Sequence, residues 1–109
     1  MGHQIGDAIT KDFTTHDPIT GQVSNADFLP TCEVYEDTAN VPMLTPLVTQ
    51  RVGHVGNYWV FFVASLANGF EVGSSYNVIV LATVNGILAK ARISSFNIES
   101  PAGSLTFVV

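Results

Sequence analysis

Apolar residues recur with a period of two on one side of much of this chain, most regularly between Tyr76 and Ile93. Tyr76, Val78, Val80, Ala82 and Val84 fall on one side of an extended segment. Asn85-Gly86 then supplies the two positive-φ residues that a type I′ hairpin turn demands. The chain returns through Ile87, Ala89, Ala91 and Ile93 at the same period. A two-residue loop pairs Val84 with Ile87, which sets Ala82 opposite Ala89, Val80 opposite Ala91 and Val78 opposite Ile93. Each pair is apolar, so turn chemistry and core pattern select one register.

The same reading extends to the rest of the chain. Residues 1–7 have no periodicity and are expected as an N-terminal arm. Ala8 to Thr15 predicts a strand with Ile9 and Phe13 on one side and Thr10 and Thr14 on the other. His16-Asp17-Pro18 and Thr20-Gly21 carry turn chemistry, and Ala26 to Leu29 could hold a short strand or turn. Thr31 to Glu36 predicts a strand with Cys32 and Val34 inward and Glu33 outward. Met43 to Arg51 reads as two short pieces divided by Pro46, which suits an edge or a bend. Asn57 to Ser65 is the most apolar strand, and Leu66 to Gly69 is the one place for a helical turn. After the hairpin, a separate strand is expected over Ser95 to Ile98, then turn residues, then an apolar piece from Leu105 to Val109. Seven or eight short strands with turn signals about every 8–12 residues predict an all-β antiparallel sandwich. It would span residues 8–98, with 99–109 a C-terminal apolar segment able to pack on its own chain or dock on a neighbour.

Composition adds partners to this picture. The 109 residues are 47% hydrophobic and 12% charged, with a mean hydropathy of +0.33. That is more apolar surface than a small domain readily hides, so some of it is expected to meet other proteins. A net charge of −5 with only four Lys and Arg argues against nucleic-acid binding, which needs a basic face. No run approaches the roughly 18 uninterrupted apolar residues of a membrane-spanning helix. The opening MGHQIGDAIT shows neither the basic nor the apolar region of a secretory signal. The single cysteine, Cys32, allows no internal disulfide and fits synthesis in a reducing compartment.

Candidate chemistry is sparse, and no catalytic, cofactor-binding or metal-ligating residue is assigned. His3, His16 and His54 stand apart from one another and from carboxylates at ligand spacing. Asp7, Asp12, Asp17 and Asp27 do not form a calcium-loop series. Cys32 alternates with Val34 and reads as a small buried residue rather than a nucleophile. Glu36-Asp37 reads as a solvated turn, and no glycine-rich segment opens a helix to cradle phosphate. An enzyme is therefore not expected.

Two motifs bear a resemblance. GSSYNVIV (Gly73 to Val80) places a tyrosine three residues after a glycine at a strand start, similar to the tyrosine corner of immunoglobulin-like domains, where the phenol bonds back to upstream backbone. Together with YED (Tyr35 to Asp37), GNYWVFF (Gly56 to Phe62), ANGFEVGSSYNV and TVNGILAKA, the order from about Asp7 to Ile98 resembles small Ig-like β-sandwich virion proteins of tailed phages and prophages. That resemblance implies a structural role as a head-decoration, head–tail or tail component, made in the host cytoplasm and located in the virion. One departure stands out. Positions alternating with the core in the GNY strand are mostly polar in that pattern, whereas here they are Trp59, Phe61 and Val63; in the hairpin Ile79, Leu81 and Leu88 repeat the anomaly. A sheet with one wet face should be polar there. The expected function is a capsid decoration protein binding other virion subunits. Its interface would comprise Trp59, Phe61, Val63, Ile79, Leu81, Leu105, Phe107 and Val109, with Tyr76, Asn85 and Gly86 as structural residues. The alternative roles are a tail or head–tail accessory, or a carbohydrate- or host-surface-binding module using loop aromatics such as Phe28 and Phe70.

Overall fold

The computed structural model describes residues 2–37 and 39–99. Among them the chain is all-β, with seven strands in two sheets and no helix. The strands are β1 (Gly2–Gln4), β2 (Ala8–Thr14), β3 (Thr31–Glu36), β4 (Val48–Gln50), β5 (Asn57–Val63), β6 (Ser75–Val84) and β7 (Ile87–Glu99). One sheet, here sheet A, has the order β1-β7-β6-β3; the other, sheet B, has the order β2-β5-β4. The chain crosses between sheets on leaving β1, β2, β3 and β5, so both must fold together. All pairings are antiparallel except β1 with β7, which is parallel.

Alternation explains the layering. Ile9 of β2, Tyr58, Val60 and Phe62 of β5 and Val48 of β4 point inward from sheet B. Cys32 and Val34 of β3, Tyr76, Val78 and Val80 of β6, and Phe96 and Ile98 of β7 meet them from sheet A, in one buried cluster that Phe70 joins from the β5–β6 loop. Four aromatic rings form its centre. Phe70 lies 4.7 Å from Tyr76 and 5.8 Å from Phe62, and Phe96 lies 5.6 Å from Tyr76, between ring centroids. Such contacts add about 0.5–1.5 kcal/mol each beyond the area they bury.

Two buried phenols tie the crossings to this core. Tyr76 Oη accepts the backbone N–H of Glu71 at 2.8 Å, the upstream bond anticipated for that tyrosine. Tyr58 Oη accepts the N–H of Ala26 at 3.0 Å, a second closure of the same kind on the β2–β3 connection. At the hairpin, Asn85 (φ 50) and Gly86 (φ 79) occupy the left-handed region, as a type I′ turn requires. Val84 pairs with Ile87, Ala82 with Ala89 and Val80 with Ala91.

Three expectations are corrected. A register shift between Val78 and Ile79 places Ser94, not Ile93, opposite Val78. Ile93 is the extra residue of a β-bulge, which moves the inward set from Ile87, Ala89 and Ala91 to Ser94, Phe96 and Ile98. The separate strand at Ser95 to Ile98 is accordingly the continuation of β7 through the bulge. Residues 2–4, expected as part of an irregular arm, form β1 against Asn97–Glu99. Leu44 bridges to Val34 ahead of Pro46 and β4 follows it, as anticipated, whereas Ala26 to Leu29 forms neither strand nor turn and only bends at Asp27 and Phe28. Leu66 to Gly69 forms turns. The 99–109 segment lies, beyond Glu99, outside the described residues.

Candidate interaction surfaces

The outer face of sheet B is built from the residues of β2, β4 and β5 that alternate with the core. Register sets Trp59 between Asp12 of β2 and Thr49 of β4, Phe61 opposite Thr10, and Val63 opposite Ala8. Trp59 and Val63 are partly buried, while Phe61 is 48% exposed at the middle strand of the sheet. Val48 pairs with Val60, so Leu47, one residue earlier, falls beside Phe61 by continuation of the register; it is 85% exposed. The flanking side chains are short: Thr10, Thr49 and Ala8. The one long pair is Arg51 with Asp12, whose guanidinium and carboxylate meet at 2.9 Å. Asp12 is the partner of Trp59 and Arg51 follows β4, so this ion pair reaches across β5 on Trp59's side. Phe61 and Leu47 lie away from it and face solvent.

Ile79 and Leu81 do not join this patch. They project from the outer face of sheet A, on the other side of the molecule. The expected interface set therefore splits in two. Ile79 lies between Glu33 and Arg92, and Leu81 between Thr31 and Lys90. Long charged side chains lay their apolar stems over neighbouring surface while keeping the charge in water, and both isoleucine and leucine are partly buried. Sheet A thus screens its apolar middle strand in a way that sheet B does not. Leu88 is 66% exposed near the turn. Leu105, Phe107 and Val109 lie outside the described residues.

The structural residues take the expected positions and gain a partner that the sequence reading missed. The carboxylate of Asp27, from the β2–β3 connection, accepts the N–H of Asn85 at 2.9 Å and of Gly86 at 2.8 Å. Asp17 accepts from the Asn85 side chain and also receives the N–H of Ile19. The hairpin tip is thereby held to the loops that precede β3. The aspartates, which form no calcium-loop series, include two that clamp this turn. Their signal was present in the turn chemistry of His16-Asp17-Pro18, but their long-range partners were not legible.

Phe70 corrects the carbohydrate-module expectation. It is fully buried among Phe62, Tyr76 and Phe96, so it cannot serve as a loop platform for a sugar. Phe28 is exposed. Cys32 is buried beside Val34, and burial, with the neighbouring Glu33 charge, pushes its thiol up to about 11; a thiol held neutral is a poor nucleophile. Tyr35 donates to Glu33 at 2.9 Å, and that bond, foremost, raises its pKa. His3 stacks edge-on against Phe96 and faces Asp7 at 3.4 Å. Among the described residues no three His, Cys, Asp or Glu side chains gather as a metal site, and no helix is long and apolar enough to cross a membrane.

Comparison with known proteins gives no matching family model, no similar curated protein and no similar solved structure.

Proposed function

We propose that this chain is a non-enzymatic virion protein with an Ig-like β-sandwich, which decorates a phage capsid by docking the outer face of sheet B on other virion subunits. The observation that carries the reading is the exposure of Phe61 on the middle strand of a sheet flanked mainly by short side chains, with Leu47 exposed just ahead of the edge strand β4. Aromatic anchors of this kind concentrate binding energy at protein interfaces. The Tyr76 phenol bonding back to Glu71 supports the resemblance to Ig-like domains, because it ties a loop to the strand that follows it. The acidic charge of −5 and the scarcity of candidate chemistry favour assembly over catalysis.

Docking is hydrophobic burial on a preformed flat surface. Fully burying one phenylalanine is worth about 1.5–3 kcal/mol, so Phe61→Ser is expected to weaken each contact roughly tenfold to a hundredfold. Phe61 and Leu47 are cleaner probes than Trp59, whose partial burial gives it a share in the fold. Particles assembled with the Phe61→Ser, Leu47→Ser double variant should lack the protein while the purified variant keeps its native unfolding midpoint. Normal incorporation of that variant overturns the reading. Copy number in purified particles separates the placements: hundreds of copies indicate the head, and a single ring indicates the tail or head–tail junction.

A further inference from the structure

At the hairpin end of the molecule the two sheets part. A cleft of about 250 Å³ opens between Phe13 and His16 on one wall and Val80, Ala82, Ala89 and Ala91 on the other. The inner faces elsewhere carry Val, Tyr and Phe; here three alanines leave room. Beside the cleft runs a strand edge that is unpaired among the described residues. β1 occupies that side of β7 only at Asn97–Glu99, and no described strand pairs there with Ile87 to Arg92. In a two-residue hairpin the residues flanking the turn exchange both backbone bonds, and bonded pairs alternate from there. Ile87, Ala89 and Ala91 therefore bond to β6, while Leu88, Lys90 and Arg92 direct their N–H and C=O groups outward.

We propose that this edge and cleft receive residues 104–109 of a second copy of the chain, added as a further strand of sheet A. This goes beyond the docking of sheet B and stands or falls separately from it. Leu105, Phe107 and Val109 recur at every second position, so a strand laid along the edge turns all three to one face. That face meets the alanine-lined cleft. A cavity of about 150 Å³ accommodates benzene, so the present one holds the Phe107 ring with an aliphatic neighbour. Thr106 and Val108 then lie outward, next to the stems of Lys90 and Arg92. Main-chain pairing supplies affinity and the cleft supplies selectivity, as in other strand additions.

Reach and charge decide against the simpler occupants. Between Ala89 and Glu99 lies about 33 Å of strand at ~3.3 Å per residue. Phe107, eight residues beyond Glu99, extends at most about 29 Å from it. A chain's own Phe107 therefore cannot reach the position beside its own Ala89, and β1 occupies the first part of the path back. Pairing of β7 with β7 of a second copy would bring Lys90 and Arg92 close to like charges, which is destabilising. Lys90 and Arg92 form no ion pair among the described residues, and residues 100–109 carry no charge to oppose them.

Crosslinking of the full-length chain tests this. On a Cys32→Ala background, Ala89→Cys or Ala91→Cys protein is mixed with Phe107→Cys protein and treated with a short bismaleimide. The expected product is a heterodimer formed at least tenfold more than when Phe107→Cys is mixed with Thr49→Cys, which sits on the other sheet. Equal yields from both mixtures, or no heterodimer from either alanine position, overturn the proposal. So does a crosslink within one chain as the dominant product of the Ala89→Cys, Phe107→Cys double variant at high dilution. Crosslinking of Ala89→Cys with itself as the main product would instead assign the edge to β7–β7 pairing and equally refute it. Incorporation of the Phe61→Ser, Leu47→Ser variant into particles is read separately, so failure of either idea leaves the other standing.

Discussion

Replacing Tyr76 by phenylalanine removes one oxygen from a wholly buried ring and leaves its packing intact. The ring stays 4.7 Å from Phe70 and 5.6 Å from Phe96, so no cavity term enters. What is lost is the acceptor for the Glu71 N–H, now bonded at 2.8 Å. A donor left without its partner costs about 1–3 kcal/mol. Each kcal/mol lowers the midpoint of a domain of about this size by roughly 4–8 °C. Tyr76→Phe should therefore lower Tm by about 4–24 °C and shift the urea midpoint with no change in slope. Tyr58→Phe, which strands the Ala26 N–H, should behave alike. Tyr35→Phe is the control: its phenol donates to Glu33 on the outer face of sheet A, and its loss should stay within about 0.5 kcal/mol. A Tyr76→Phe protein as stable as the parent, or a Tyr35→Phe protein that loses more than either of the others, refutes the view that the buried phenols hold the crossings.

Three other outcomes follow from the same geometry. Gly56→Ala should cost roughly 3 kcal/mol or more by urea unfolding, because φ is +67° and the new Cβ would sit 2.9 Å from the backbone oxygens of both Ser24 and Thr15. Asp27→Ala should cost about 1–3 kcal/mol and speed amide exchange at Asn85 and Gly86, whose N–H groups it now receives; unchanged exchange there contradicts the clamp. The Cys32 thiol has its pKa raised from 9.0 to about 11 in the fold, so the unfolded chain loses this proton first as pH rises. Its contribution is full below about pH 9 and declines towards pH 11, by an amount on the order of 2 kcal/mol. Cys32→Ala should flatten that part of the stability–pH profile, and an equally steep decline in the variant counts against it.

Much of the fold was legible because its signals were local. Asn85-Gly86 named its own turn, and Thr31 to Glu36 gave its inward residues, Cys32 and Val34, by simple alternation. The bulge at Ile93 was missed because a single period was carried past the point where parity changes; Ile87, Ala89 and Ala91 are odd-numbered, Phe96 and Ile98 even, and that switch is the trace an inserted residue leaves. β1 escaped because three residues have no period, and its strand exists only through pairing with β7. The candidate surface was half legible. Alternation identified Trp59, Phe61 and Val63 as outward, but sheet membership is a long-range property, so nothing in the sequence separated them from Ile79 and Leu81. Phe70 misled for the same reason: it sits in a loop by sequence yet fills the centre of the aromatic cluster.

Hydroxyl-radical footprinting of Phe61, read by mass spectrometry on its own peptide, bears most directly on whether the outer face of sheet B is a hidden surface in the assembled particle. In the purified chain this half-exposed ring should oxidise readily, and in the chain bound to particles its oxidation should fall at least fivefold while Leu66, exposed in the β5–β6 loop, is unchanged. Equal oxidation of Phe61 in the free and particle-bound chain would contradict the account.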